Sequence, residues 1–221
     1  MSDRVTVTIA DGIADVRFNR ADKRNALDNE QFVAIAEAGE ALKSAAGVRA
    51  VVVSGEGASF CAGLDFSIFG QFAADAGATA GPRIGALTES GITHLAQQVC
   101  WVWQELPVPV IAAVHGHALG GGAQIALGAD IRISTTDAKW SIREVHWGLI
   151  PDMTGTFVLS RLVRPDVAKE LTFTARVFDG AEAHALGLVT RLADDPYAAA
   201  HQLAAEIAGR SPQAVRGVKA L

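Results

Sequence analysis

Apolar and polar residues alternate from the start of the chain. Val5, Val7 and Ile9 are separated by threonines, Asp11-Gly12 interrupts, and Ala14, Val16 and Phe18 alternate again. This pattern predicts a β-hairpin. After a polar stretch, NRADKRNALD, Asp28 with Gln31 three positions later has the spacing of a capping box. It predicts a helix to about Ser44, with Phe32, Ile35 and Leu42 in its buried stripe. Residues 50–53 read as a short buried strand ending at Gly55, and the Gly- and Ala-rich stretch from Gly70 to Gly85 as a loop. A helix is expected from Thr88 to Leu106, stopped by Pro107 and Pro109. The string PVIAAVHGHALGGGAQIALGADIRIST reads strand, glycine turn, helix, strand, and Trp140 and Ile142 fall on a further extended segment. Helices are predicted from Asp166 to Ala175 and from Gly180 to Leu186, the second closed by Gly187. Leu188 to Leu192 is strand-like, Pro196 to Arg210 helical, and a last helix opens at Pro212. Strand and helix alternate throughout, which is the α/β pattern.

Composition narrows the function classes. A chain of 221 residues allows one generous domain or a domain with a small annex. Its 24 acidic residues outnumber 19 scattered Lys and Arg, which argues against a nucleic-acid surface. The apolar run around Val108 to Val114 falls far short of the roughly 20 residues that cross a bilayer. The N-terminus alternates like a strand and has no apolar signal core. Cys61 and Cys100 form no CxxC pair. A soluble, cytoplasmic chain that binds neither nucleic acid nor membrane is the expectation.

Several familiar site signatures are absent. There is no GxxxxGK[ST] phosphate loop and no GxSxG elbow, and GEGASF lacks the last glycine of a dinucleotide fingerprint. His115 and His117 have no third ligand placed by spacing, so they read as turn histidines and no metal is expected. Two strand-end glycine turns remain: SGEGASFCAGLDF, with Gly63 between Ala62 and Leu64, and HGHALGGGAQIAL, where Gly120, Gly121 and Gly122 open a helix. Such turns expose backbone N–H groups, and two that converge form an oxyanion hole.

Taken together, NRADKRNALD, GEGASFCAGLDF, VHGHALGGGAQIALGADIRI and SIREVHWGLIPDMTG resemble the enoyl-CoA hydratase/isomerase (crotonase) superfamily, in order, from near residue 5 to about residue 210. The resemblance implies a crotonase-like α/β spiral of ββα units over residues 1–195. Residues 196–221 would start a C-terminal helical region that is either truncated or unusually short. It also implies an acyl-CoA thioester as substrate, no cofactor beyond that CoA, and assembly as a homotrimer or a dimer of trimers. Carried over position by position, Leu64 and Gly121 would donate the oxyanion-hole N–H groups. Arg24, Ala26, Ala62, Gly63, Asp65 and Phe66 match stretches that hold CoA and substrate.

The acids bear on which reaction it is. Family hydratases use two glutamates; one of these positions is Gln124 here and the other is Glu144. A neutral amide can hydrogen-bond water but takes no proton from it at working pH. Asp152 matches a catalytic aspartate of the family's dienoyl-CoA isomerases, whose other acid aligns with Glu144. Double-bond isomerisation, with Glu144 and Asp152 shuttling the proton and Gln124 orienting, is therefore the expected activity. Hydration by Glu144 with water placed by Gln124 is the nearest alternative, and a vestigial acyl-CoA-binding protein is another.

Overall fold

The computed structural model describes residues 3–68 and 91–221. The expected loop at 70–85 and the first residues of the helix expected at Thr88 lie outside the described residues. Strands β1 (Val5–Ala10) and β2 (Ile13–Phe18) form the predicted hairpin, with Ala10 opposite Ile13. Asp11 and Gly12 both have positive φ, 52° and 80°. That is the two-residue turn whose twist suits an antiparallel ribbon, and an Asp-Gly pair tolerates it well.

Helix α1 (Asn29–Lys43) starts where the cap predicts: Asp28 accepts the Gln31 N–H at 2.9 Å. The reciprocal half of the box is not made, because the Gln31 amide donates to the Arg4 carbonyl instead. The chain continues through β3 (Ala50–Gly55), α2 (Leu95–Glu105), β4 (Val110–Val114), β5 (His117–Leu119), α3 (Gly121–Leu127), β6 (Ile131–Ser134) and β7 (Lys139–Ser141). A 3-10 turn at Glu144–Trp147 precedes α4 (Gly155–Leu162) and α5 (Pro165–Thr174). Then come β8 (Phe178–Asp179), α6 (Gly180–Leu186), β9 (Arg191–Leu192), α7 (Pro196–Ala208) and α8 (Pro212–Lys219).

Six strands form one sheet in the order β1-β2-β3-β4-β6-β9, parallel from β2 onward. A parallel sheet covered on both faces needs strands that are apolar on both sides, and β3 and β4 are near-continuous runs of Val, Ile and Ala. Val51, Val53, Ala112 and Val114 belong to the large core shared with α1, α2 and α3. Ala50, Val52, Ile111, Ala113 and Ile133 face the other way, against Ala200 and Ala204 of α7. That helix, expected to open a C-terminal region, thus covers the sheet's outer face. A second sheet, β5-β7-β8, carries the chain away from the end of β4.

Four expectations need correction. Helix α2 begins at Leu95 rather than Thr88, because His94 caps it. The His94 ring nitrogen accepts the Gln97 N–H while the Gln97 side chain accepts the His94 N–H, and histidine is outside the usual capping set. Of the extended segment expected at 188–192, only Arg191 and Leu192 pair, with Ile133 and Ser134. Trp140 lies on β7, but Ile142 falls just past its end. Helix α4 has no marker in the hydrophobic pattern, and Asp152, which after Pro151 could have capped it, does not. The helix follows Thr154, whose left-handed φ of 70° breaks the chain direction without any side-chain cap. Among the described residues no helix is long and apolar enough to cross a membrane.

Candidate active site

The two glycine turns meet because residues 61–65 run between the 24–27 loop and β5. On one edge, Ala62 donates to the Arg24 carbonyl, Leu27 to that of Gly63 and Asp65 to that of Leu27, all at 2.8–2.9 Å. On the other edge, Cys61 donates to the His117 carbonyl and receives the Leu119 N–H. Gly63 is required at the crossing. Its φ is +90°, and a β-carbon there would stand 2.5 Å from the Leu119 carbonyl oxygen.

The direction of the Leu64 amide follows from this pairing. Gly63 O and Asp65 N face the Leu27 edge, so Leu64 N–H faces the opposite edge, where β5 ends and the Gly120 turn begins. Gly121 is the first residue of α3, and an N–H in that position has no partner within its helix. Among the described residues neither the Leu64 nor the Gly121 N–H donates a hydrogen bond. Both residues line the same two-lobed cavity. Two free amides on one cavity wall are what a developing oxyanion needs.

Beyond the second turn stands Glu144, 8% exposed. A β-carbon on Gly120 would lie 3.3 Å from its Oε1, so the carboxylate sits directly against the turn. Gln124, 1% exposed, fixes that carboxylate. The Gln124 Oε1 accepts the Gly155 N–H at 2.8 Å, which turns its Nε2 toward Glu144 Oε1, 2.6 Å away. Glu144 Oε2 is buried and has no hydrogen-bond partner among the described residues. Burial raises the Glu144 pKa above the ordinary carboxylate value and the Asp152 charge adds to the rise, against the Gln124 amide and the backbone N–H groups of Glu144 and Arg143.

Asp152 is exposed yet lines the same cavity, and its carbonyl is tied to α2 by Gln97 Nε2 at 3.2 Å. The lobe holding Asp152, Gln124, Leu27, Phe32 and Met153 has a volume of about 180 Å³. The lobe holding Ala62, Gly63, Phe66, Trp147 and Arg143 has about 280 Å³. Leu64, Gly121, Glu144 and Leu149 belong to both lobes, so the acid and the two amides stand where the lobes join.

The other expected positions gather around the 61–65 segment. Arg24 is exposed, and its backbone, at φ 51°, receives the Ala62 N–H. Phe66 is 67% exposed and packs edge-on against Trp147, with ring centroids 5.2 Å apart. Asp65 has a carboxylate already engaged by the Ser67 N–H at 2.9 Å and by Arg20 at 2.6 Å. Those hydrogen bonds, the Ser67 N–H first, hold its pKa down at about 2. Arg20 escaped the sequence reading. Its guanidinium also reaches Asp28 and the Ala26 carbonyl, so it joins the 24–27 loop, the α1 cap and the 61–65 segment. The available signal was an arginine at the head of a loop flanked by two capping aspartates. Arg20→Met should therefore loosen all three, lowering stability by about 2 kcal/mol in a denaturant titration and raising KM more than it lowers kcat.

The histidines behave as turn residues. His115 Nε2 pairs with the Gly57 carbonyl and His117 Nδ1 with Ser59 Oγ, both at 2.9 Å. No group of three candidate metal ligands occurs among the described residues.

Comparison with known proteins identifies the family. A family model described as enoyl-CoA hydratase/isomerase matches residues 8–221. The chain is 37% identical over 215 residues to the mitochondrial methylglutaconyl-CoA hydratase of Mus musculus, covering 94% of this chain and 65% of that protein. It is 35% identical over 211 residues to the mitochondrial Delta(3,5)-Delta(2,4)-dienoyl-CoA isomerase of the same species, covering 94% of this chain and 64% of the relative. The chain thus spans somewhat less than two thirds of the length of these curated relatives. Among solved structures, an enoyl-CoA hydratase from Mycobacterium tuberculosis H37Rv superposes with a TM-score of 0.84 at 30% identity, over 99% of this chain and 81% of that one.

Proposed function

Because the chain belongs to the enoyl-CoA hydratase/isomerase family, we infer that it acts on acyl-CoA thioesters and that its main reaction shifts a double bond in an enoyl- or dienoyl-CoA. Its fold is the crotonase fold. The thioester carbonyl would sit between the Leu64 and Gly121 N–H groups. Glu144 Oε2 takes a proton from the carbon beside the carbonyl, and the electron pair moves onto the carbonyl oxygen as a conjugated enolate. Reprotonation at the far end of the conjugated system, by Glu144 or by Asp152, leaves the double bond moved and restores the thioester. Each amide at the oxyanion would supply about 3–4 kcal/mol of barrier reduction. The reading needs no metal or organic cofactor, since CoA is part of the substrate.

The observation that carries this reading is the state of Gln124. Its oxygen is occupied by the Gly155 N–H and its nitrogen donates to Glu144. A neutral amide tied at both ends is not a second base for water, whereas one buried carboxylate suffices for an allylic proton transfer. The second reading, hydration, is favoured by the likeness to a protein named methylglutaconyl-CoA hydratase. In that case Glu144 Oε2 would activate the water alone.

A paired assay separates the two. One arm offers crotonyl-CoA and follows hydration; the other offers a 3-enoyl-CoA and a 3,5-dienoyl-CoA and follows conjugation. Faster conjugation is the expected result, and faster hydration would replace the isomerase reading by the second one. Gln124→Glu adds a check. It sets a second carboxylate against Glu144 Oε1, and two such groups hold a shared proton, so the acid limb of kcat/KM for isomerisation should move up by about one pH unit or more.

Self-association as a homotrimer or dimer of trimers and a cytoplasmic location belong to the same proposal. Phe173, 71% exposed, and the half-exposed Val177 are apolar surface that such an assembly would cover. Light scattering on the purified chain tests it.

A further inference from the structure

Arginines in this molecule are generally saturated when buried. Arg20 joins two carboxylates, and Arg132 donates to the Leu188 and Ala129 carbonyls. Arg143 departs from that pattern. It is half-buried, it lines the larger lobe of the cavity, and its side chain makes no hydrogen bond or ion pair with any described residue. It does not neutralise Glu144 either: Glu144 Oε1 accepts from Gln124, and Oε2 has no partner among the described residues. A guanidinium stays charged at any working pH and presents five donors in a planar fork. In a lobe whose large apolar side chains include Leu64, Phe66, Trp147 and Leu149 and whose other charged side chain, Glu144, is already held by Gln124, that fork calls for an anion with two oxygens.

The position of Arg143 says which end of the ligand brings the anion. It directly precedes Glu144, and its β-carbon lies 3.9 Å from where one on Gly120 would stand. It therefore flanks the turn that carries the Gly121 N–H, close to where the thioester carbon would sit. The phosphates of CoA are separated from that carbon by the whole pantetheine arm. We propose that Arg143 determines specificity by pairing with a carboxylate on the acyl group, so that the preferred ligand is the CoA thioester of a dicarboxylic acid. The inference rests on the thioester reading above, but not on which reaction follows.

Binding of two saturated thioesters of equal chain length tests it, because neither can isomerise or add water. Glutaryl-CoA and valeryl-CoA differ only in a terminal carboxylate against a methyl. Calorimetry on the wild-type chain should give a Kd for glutaryl-CoA about tenfold lower. Arg143→Met, which keeps the apolar stem, should erase that difference and leave the valeryl-CoA Kd within about twofold, which also shows that the variant is folded. Arg143→Lys should keep part of the preference. Three results would overturn the proposal: no preference in the wild type, a preference that survives in Arg143→Met, or equal weakening of both thioesters, which would put Arg143 on the CoA moiety. Failure of valeryl-CoA to bind the wild type at all would instead sink the thioester reading itself.

Discussion

Glu144→Gln should lower turnover by about 10²–10⁴-fold while making the protein more stable. Both effects come from the same atoms. The variant keeps the hydrogen bond to Gln124, because an amide oxygen accepts from Gln124 Nε2 as the carboxylate does across 2.6 Å. The cavity keeps its shape, and KM for the thioester should change little. What is lost is the only group among the described residues at the join of the lobes that could take a proton. What is gained is relief of a buried carboxylate whose Oε2 has no partner among the described residues. Burial raises the pKa of Glu144, so the folded state holds this proton more tightly than the unfolded chain does. The stability contributed by the group is then fully present at low pH and lost as pH rises through the raised value. The melting-temperature advantage of Glu144→Gln over wild type should accordingly be larger at about pH 7 than at about pH 4, with about 2–4 °C for each kcal/mol recovered. In the wild type, kcat/KM should fall on the acid side above the ordinary carboxylate range, since the base must be ionised. The Asp152 charge, facing the same cavity, adds to the rise that burial gives Glu144. Full turnover in Glu144→Gln would remove Glu144 from the reaction.

Much of this architecture is legible along the chain because it is locally determined. The hairpin follows from alternation and Asp11-Gly12, and α1 from the Asp28 cap. The strand–turn–helix around Gly120 follows from an apolar run that meets three glycines. Short elements were less visible. Three-residue strands such as β5 and β7 have too few positions to show a period, and α4 follows a threonine in a conformation no pattern announces. The resemblance supplied the positions of Leu64, Gly121, Gln124, Glu144 and Asp152, and the fold brings all five to one cavity. Their states were not readable. That Gln124 is held by an N–H 31 residues away, and that among the described residues Glu144 Oε2 and the Arg143 side chain have no partner, are facts of tertiary packing. Arg20 illustrates the same limit, since its three partners belong to segments that meet only in the folded chain.

Gly63→Ala should damage folding and catalysis together, and a second glycine separates the causes. At φ +90° an alanine is strained by about 1–3 kcal/mol. Its β-carbon would also stand 2.5 Å from the Leu119 carbonyl oxygen, which belongs to β5 and cannot swing away like the end of a flexible side chain. Either the 61–65 segment or β5 must move. Leu64 rides on the first, and the Gly120–Gly121 turn follows directly from the second, so the two amides lose their mutual alignment whichever gives way. Losing one properly aimed donor costs about 10²–10³-fold in kcat. Gly47 is the control: its φ is +80°, yet nothing lies within 4 Å of where a β-carbon would stand. Gly47→Ala should therefore show a similar loss in a denaturant titration from backbone strain alone, with kcat untouched. If Gly63→Ala were to lower stability like Gly47→Ala while keeping wild-type kcat, the oxyanion would have to be held somewhere other than at Leu64. A fall in kcat for Gly63→Ala alone ties the crossing of the 61–65 segment over β5 to the chemistry. One backbone geometry would then explain why a glycine stands between Ala62 and Leu64.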